Sequence, residues 1–148
     1  MIAYANDYSL PLVIHVRDAV DDLVQILEEM PLQVEAETHC ATFGPAIAAR
    51  LIEAGVTGFG LGGMVTREEM EPLREMVSFL PEEYILLETD APFVRPANHP
   101  GGVNTSAVLP AVAAEIGAIR KTTAENIIRI ANRNAQRMFK VSDGIERE

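Results

Sequence analysis

The sequence contains a single cysteine, Cys40, so the chain cannot form an internal disulfide. Disulfides are typical of secreted proteins, and without one nothing requires an oxidising compartment. No apolar run approaches the roughly 20 residues needed to cross a bilayer, and the first residues lack the basic-then-apolar order of a secretory signal. We therefore expect a cytoplasmic protein that does not associate with a membrane.

Basic residues are scarce as well: 12 Lys and Arg face 22 Asp and Glu, which gives a formal net charge of −10. Broad nucleic-acid surfaces depend on Lys and Arg displacing counterions. The composition thus argues against a protein that binds nucleic acid over a wide basic surface. Phosphate chemistry on such a chain needs local positive charge, and a bound divalent cation can supply it.

What the sequence does contain is an alternation of apolar, β-branched runs with segments of helical period, typical of βα units on a parallel sheet. A chain of 148 residues with 48% hydrophobic content is enough for one domain with a buried core. The predicted strands are 10–16, 33–39, 56–61 and 84–90, and the predicted helices are the end of one over 1–9, then 18–30, 46–54, 66–77, 106–119 and 123–139. From Ser142 the chain is polar, which predicts a frayed tail.

Local signals set several of these boundaries. Pro31 ends the first full helix, Pro45 suits a first helical position and Gly55 suits a C-terminal cap. Thr66 followed three residues later by a glutamate is the pattern of a capping box. Thr122 or Thr123 is the natural N-cap of the last helix.

Three predicted strands end alike, with an apolar run followed by one metal-capable or acidic side chain. These residues are His15, His39 and Asp90. In a parallel barrel such positions share the C-terminal face, where the loops build the active site. Two imidazoles and a carboxylate directed at one cavity suit Zn²⁺ or a similar divalent ion. A structural role for each residue remains the alternative, with Asp90 capping the turn that follows it.

Four further polar residues lie near these strand ends. Glu88 precedes Asp90 by two residues and so shares its face, and a buried glutamate needs a partner such as Arg17. Arg17 could instead bind a phosphate. Arg95 and Asn104, in the Pro- and Gly-rich stretch after the fourth strand, are either substrate-binding or solvated.

Several motifs resemble those of TatD-type deoxyribonucleases. The segment from Pro11 to Asp18 is similar to that family's P-x-x-I-H-x-R-D/A, and Thr38-His39-Cys40 is similar to its x-H-C-F-x-G strand end. The run Glu88-Thr89-Asp90-Ala91-Pro92-Phe93 is similar to E-T-D-x-P-[YF], and Asn134 with Phe139 resembles the closing N-x-x-x-x-F.

The resemblance implies a (β/α)₈ TIM barrel that holds one or more divalent ions (Zn, Mg or Mn) and hydrolyses phosphodiester bonds in DNA. It implies that His15, His39 and Asp90 are metal ligands of the second half of the barrel. Asp90 is then also the candidate catalytic base, since a carboxylate beside an activated water can accept its proton.

The sequence departs from the family in three ways. It has no H-x-H pair, which the family carries on its first strand, and the aromatic residue expected directly after Cys40 comes only at Phe43. Four to five strands cannot close a barrel. We therefore expect a single incomplete domain, the C-terminal half to two-thirds of a TIM barrel. Either the chain is truncated or a partner completes it, and exposed strand edges favour a homo-oligomer.

Two other functions remain open on the sequence. The absence of the H-x-H pair, which the family carries on the first strand of its barrel, suggests a non-catalytic, oligomerising fragment. Related amidohydrolase barrels suggest metal-dependent hydrolysis of an amide or ester. The expected substrate is DNA or a small molecule such as a small phosphodiester, and the acidic net charge favours a small substrate over long DNA.

Overall fold

The computed structural model describes residues 1–99 and 101–141 and contains a four-stranded sheet. The strands are β1 (Leu12–His15), β2 (Ala36–His39), β3 (Gly58–Leu61) and β4 (Ile85–Leu87), adjacent in that order. All three strand pairs are parallel. Each predicted strand contains one observed strand, so the predicted α/β fold with parallel strands is confirmed.

In the described part of the chain, six α-helices connect and cover these strands. They are α1 (Ile2–Tyr8), α2 (Val20–Glu29), α3 (Pro45–Glu53), α4 (Glu71–Phe79), α5 (Leu109–Arg120) and α6 (Ala124–Phe139). Short 3₁₀ turns occupy Gly63–Thr66, Glu82–Tyr84 and Ser106–Val108. No helix in the described part of the chain is both long and apolar enough to span a bilayer. Residues 142–148, where we predicted a frayed tail, lie outside the described residues.

The local signals set most helix ends as predicted. Pro45 is the first residue of α3, and Gly55 follows that helix with a φ of +98°. The Thr123 side chain accepts a hydrogen bond from the Asn126 amide at the start of α6. In these three places the choice of residue follows from the backbone groups that each helix end leaves unpaired.

The capping box predicted at Thr66 is wrong. Helix α4 begins only at Glu71, and no side chain caps it. The Thr66 hydroxyl instead donates to the Gly63 carbonyl at 2.7 Å and accepts from the Ala97 amide at 2.7 Å. A contact 31 residues away along the chain thus takes the hydroxyl that the local pattern assigned to the helix.

The sheet has one face covered by helices and one face left open. The covered face carries Phe59, Leu61 and Ile85, all fully buried. The register pairs Val13 with Glu37, His15 with His39, and Gly60 with Leu86. Because side chains alternate along a strand, the open face carries Val13, His15, Glu37, His39, Gly58, Gly60, Leu86 and, just past the end of β4, Glu88.

Helix α6 packs against the amino-terminal end of β4. The buried Asn134 amide donates to the Glu82 carbonyl at 2.7 Å and to the Ile85 carbonyl at 2.9 Å. Met138, also buried, reaches the open face near Gly58, where an added Cβ would lie 2.7 Å from its methyl group. The amino-terminal end of the sheet is therefore packed against α6, and the accessible polar side chains lie at the carboxyl ends of the strands.

Both outer strands have an unpaired edge within residues 1–99 and 101–141. There β1 pairs only with β2, and β4 pairs only with β3. Leu10 and Val13, beside and on β1, are 49% and 51% exposed. Four strands cannot curl into a closed barrel, which takes about eight, so the fold is half of such a barrel.

Candidate metal centre

Two of the three predicted strand-end residues, His15 and Asp90, line a cavity of about 510 Å³. His15 lies at the end of β1, and Arg17 and Asp18 follow it on the connection to α2. Cys40 and Asp90 follow β2 and β4 and line the same cavity. The cavity thus lies at the carboxyl edge of the sheet, where a parallel α/β fold places its active site.

The two histidines are in direct contact. His15 and His39 are partners in the β1–β2 register, so both rings lie on the open face at one level. His15 Nδ1 is 2.7 Å from His39 Nε2, and the ring centroids are 4.9 Å apart. Two imidazole nitrogens bound to one tetrahedral zinc ion lie about 3.3 Å apart, given Zn–N distances near 2.0–2.1 Å. The two ring nitrogens would therefore need to move only slightly apart to bind one ion between them.

Glu88 orients the second histidine. Its Oε2 lies 3.3 Å from His39 Nδ1, and its Oε1 accepts a hydrogen bond from the Cys40 amide at 3.0 Å. Burial raises the pKa of Glu88, and the nearby His39 opposes that rise. An imidazole that donates from one nitrogen to a carboxylate presents the lone pair of the other, as in most protein metal sites. The donor set therefore fits a divalent ion that prefers nitrogen ligands.

Arg17 does not pair with Glu88, although the sequence suggested it as one possible partner. The Glu88 partners are His39 and the Cys40 amide. Arg17 Nε lies 4.0 Å from an oxygen of Asp18, and the side chains of both residues are largely exposed at the cavity. The Arg17 guanidinium is therefore available to a ligand in the cavity.

Asp90 lines the cavity that His15 also lines. Its backbone is in the left-handed region, with a φ of 51°. Within the described part of the chain, no three His, Cys, Asp or Glu side chains are grouped closely enough to hold an ion. The structure thus brings His15 and His39 together and leaves Asp90 as an acidic group in the lining of the cavity that His15 also lines.

Sequence reasoning missed Glu37, a second carboxyl group on the open face. It lies two residues before His39 and is only 8% exposed. Burial raises the pKa of Glu37 from 4.5 to about 7; the charge of Glu88 adds to the rise and that of His39 opposes it. The sequence did contain a signal for it: Glu37 lies two residues before His39, so its side chain is on the same face of the strand.

Cys40 is not a reactive thiol in this environment. Burial raises its pKa to about 11, and the charges of Glu88 and Asp90 add to the rise. The thiol is the protonated species at neutral pH, whereas the thiolate is the nucleophile and the metal ligand. The cysteine beside His39 therefore contributes its backbone amide, which holds Glu88.

The two predicted loop residues hold the loop that carries Asp90. Asn104 is 3% exposed, and its amide nitrogen donates to the carbonyls of Thr89 and Phe93. Arg95 spans the same loop through a 2.8 Å hydrogen bond to the Gly102 carbonyl. Asn104 is thus buried in the loop. The Arg95 guanidinium has further N–H donors besides the one that bonds to Gly102.

Comparison with known proteins gives one consistent family. The sequence model described as TatD related DNase matches residues 1–140. The metal-dependent hydrolase YabD of Bacillus subtilis is 33% identical over 142 residues, which cover 95% of this chain and 55% of that protein. The 3'-5' ssDNA/RNA exonuclease TatD of Musicola paradisiaca is 30% identical and is covered to 55%.

Solved structures agree with the sequence comparison. The TatD homologue YjjV of Escherichia coli K12 superposes with a TM-score of 0.86 at 27% identity, over 95% of this chain and 54% of that one. A TatD-family hydrolase of Entamoeba histolytica, at 16% identity and a TM-score of 0.78, shares the fold. The chain therefore spans about half the length of the relatives it matches, as expected from four strands.

Proposed function

The chain belongs to the family of TatD-related DNases, and on that premise we propose that it is a metal-dependent hydrolase of phosphodiester bonds in single-stranded nucleic acid. The observation that carries this proposal is the contact between His15, which lines the strand-end cavity, and His39, which Glu88 contacts from its other side. The exonuclease name of a relative at 30% identity supports the choice of bond and substrate.

In this proposal His15 and His39 hold the divalent ion, and Asp90 completes the ligand set from its place in the same cavity. Imidazole ligands favour Zn²⁺ or a similar transition ion, whereas Mg²⁺ prefers oxygen. When bound, such an ion lowers the pKa of a water molecule and neutralises charge on the phosphoryl oxygens.

The other residues of the site have roles that their positions support. The Asp90 carboxylate accepts the proton of the attacking water, as a general base within reach of it. The exposed Arg17 guanidinium at the cavity rim binds a phosphate oxygen, and Arg95 offers a second guanidinium on the neighbouring loop. Asn104 keeps the loop that carries Asp90 in one conformation.

A second candidate is a fragment that binds an ion weakly and has no turnover. The observation that favours it is that, in residues 1–99 and 101–141, no three metal-capable side chains are grouped together. The two candidates differ in their dependence on added metal, which one assay measures.

The decisive experiment is cleavage of a labelled single-stranded DNA by chelator-treated protein, with Zn²⁺, Mn²⁺ or Mg²⁺ added back. We expect cleavage that requires the metal and stops on addition of EDTA. A parallel assay with a small phosphodiester and with an amide substrate separates the possible bond types. Protein that takes up no metal and cleaves none of these substrates would establish the inactive fragment.

We further propose that two copies associate through the open sheet edges, because exposed edges and apolar side chains favour pairing. Sedimentation should then show a species of twice the 16.1 kDa chain. Val13→Asp, on the edge strand β1, should shift it toward monomer, whereas Phe79→Asp, an exposed apolar site at the end of α4, should not. A well-folded monomer at micromolar concentration would contradict the association.

A further inference from the structure

Glu88 makes its two hydrogen bonds across an intervening strand. It follows β4, whereas His39 and Cys40 belong to the end of β2, and β3 lies between those strands. Neighbouring strands are about 4.8 Å apart, so the backbones of β2 and β4 are separated by roughly 10 Å. A glutamate is long enough for this reach only if its side chain lies flat over the middle strand.

Gly60 is the residue of β3 over which that side chain passes. A Cβ at Gly60 would lie 2.9 Å from Glu88 Oε2, 3.1 Å from its Cδ and 3.2 Å from its Cγ. Such distances are shorter than ordinary van der Waals contact, so Glu88 would have to move. Gly62 leaves room for the other oxygen, since its Cβ would lie 3.2 Å from Oε1.

Backbone conformation does not explain the glycine at position 60. Gly55, Gly101 and Gly102 have positive φ angles, which favour glycine, whereas Gly60 lies inside β3 and is not among the positive-φ residues. A glycine inside a strand carries an entropic cost and packs no side chain. The feature that distinguishes this position is the side chain of Glu88 lying against it.

We propose that Gly60 is a positioning residue for the candidate metal centre: its lack of a side chain leaves the passage through which Glu88 reaches His39. Through that contact Gly60 fixes the form of the His39 ring that is protonated at Nδ1 and keeps an unprotonated Nε2 facing His15. Which ring nitrogen carries the proton is set by the hydrogen bond that the other side of the ring makes. The inference rests on the proposed function in taking His39 as a ligand.

The test is Gly60→Ala with the protonation of His39 as the first readout. In ¹⁵N-histidine-labelled protein at a pH where the rings are neutral, wild type should show His39 protonated at Nδ1. Gly60→Ala should shift His39 toward the Nε2-protonated form, as Glu88→Ala should. Affinity for Zn²⁺, measured by competition with a chelator, should fall about 10–100-fold, as expected when a group that orients a ligand is lost.

Gly58→Ala is the matched control on the same strand and face. Its Cβ would meet Met138 Cε at 2.7 Å and Leu86 Cδ1 at 2.8 Å, and Glu88 is not among its three nearest contacts. We expect a lower Tm for Gly58→Ala with no change in the His39 signal. Equal changes of that signal in both variants would attribute the effect to general packing and overturn the proposal, as would an unchanged signal in Gly60→Ala.

A stability comparison covers the case in which Gly60→Ala folds poorly. In a Glu88→Ala background the obstructed side chain is absent, so adding Gly60→Ala should cost much less stability than in wild type. An equal cost in both backgrounds would overturn the proposal. None of these readouts needs turnover. If the wild-type protein showed no nuclease activity but Gly60→Ala still changed the His39 signal, the proposed function would be refuted and the role of Gly60 would stand.

Discussion

Replacing Asp90 by asparagine is expected to lower kcat for cleavage of single-stranded DNA by at least about 100-fold, the usual contribution of a positioned general base. The amide cannot accept the proton of the attacking water, and it is a poorer ligand for a cation. The backbone should tolerate the change, because Asp90 has a φ of 51° and asparagine also enters the left-handed region readily. Turnover should therefore fall far more than stability.

Kinetics at saturating metal, together with urea unfolding, measure both quantities on the same protein. Asp18→Asn is the matched control, since Asp18 also lines the cavity and has a φ of 54°. It should retain most of the turnover, because Asp18 has no assigned part in the reaction. If Asp90→Asn lost activity and stability to the same extent, Asp90 would be a structural residue of its loop.

Part of the candidate site could be predicted from the sequence because its two histidines end adjacent strands of a parallel sheet. Parallel strands align their carboxyl ends, so side chains that end two adjacent strands must lie close together. His15 and His39 obey this rule as register partners. Their prediction needed only the apolar runs that precede them, since each run defines a strand and its end.

The partner of Glu88 could not be predicted in the same way. Strand parity gives the face on which a side chain lies but not how far it reaches along that face. Arg17, close to His15 in sequence, was a reasonable partner, yet the carboxylate crosses β3 to reach His39. That crossing depends on the space above Gly60, which appears only once the register of three strands is known.

Thr66 and Asn104 show a second limit of local patterns. Thr66 fits a capping box, but its hydroxyl bonds to the Ala97 amide from the loop after β4. Asn104 lies in a Pro- and Gly-rich stretch, where the sequence left it as either substrate-binding or solvated, but it is buried and donates to the carbonyls of Thr89 and Phe93. Both polar groups have partners distant in sequence, and spacing within a short window carries no information about such partners.

The buried carboxyl of Glu37 provides the strongest expected dependence of stability on pH. Burial raises its pKa from 4.5 to about 7. Below pH 4.5 the group is protonated in the folded and unfolded chain alike. Between pH 4.5 and 7 the unfolded chain releases this proton while the folded chain keeps it, so stability is lost as the pH rises through the pKa of the folded state.

Glu37→Gln should remove this loss, because the amide is neutral at every pH and has nearly the same shape. Relative to wild type, the variant should gain about 3 kcal/mol in free energy of unfolding between pH 4 and pH 8, at about 1.4 kcal/mol per unit of pKa shift. Urea unfolding across that range measures the difference, and Glu28→Gln on the exposed side of α2 provides the matched control. A difference that stays constant with pH would mean that Glu37 is ionised in the folded chain, with water or a cation reaching the interior of the half-barrel.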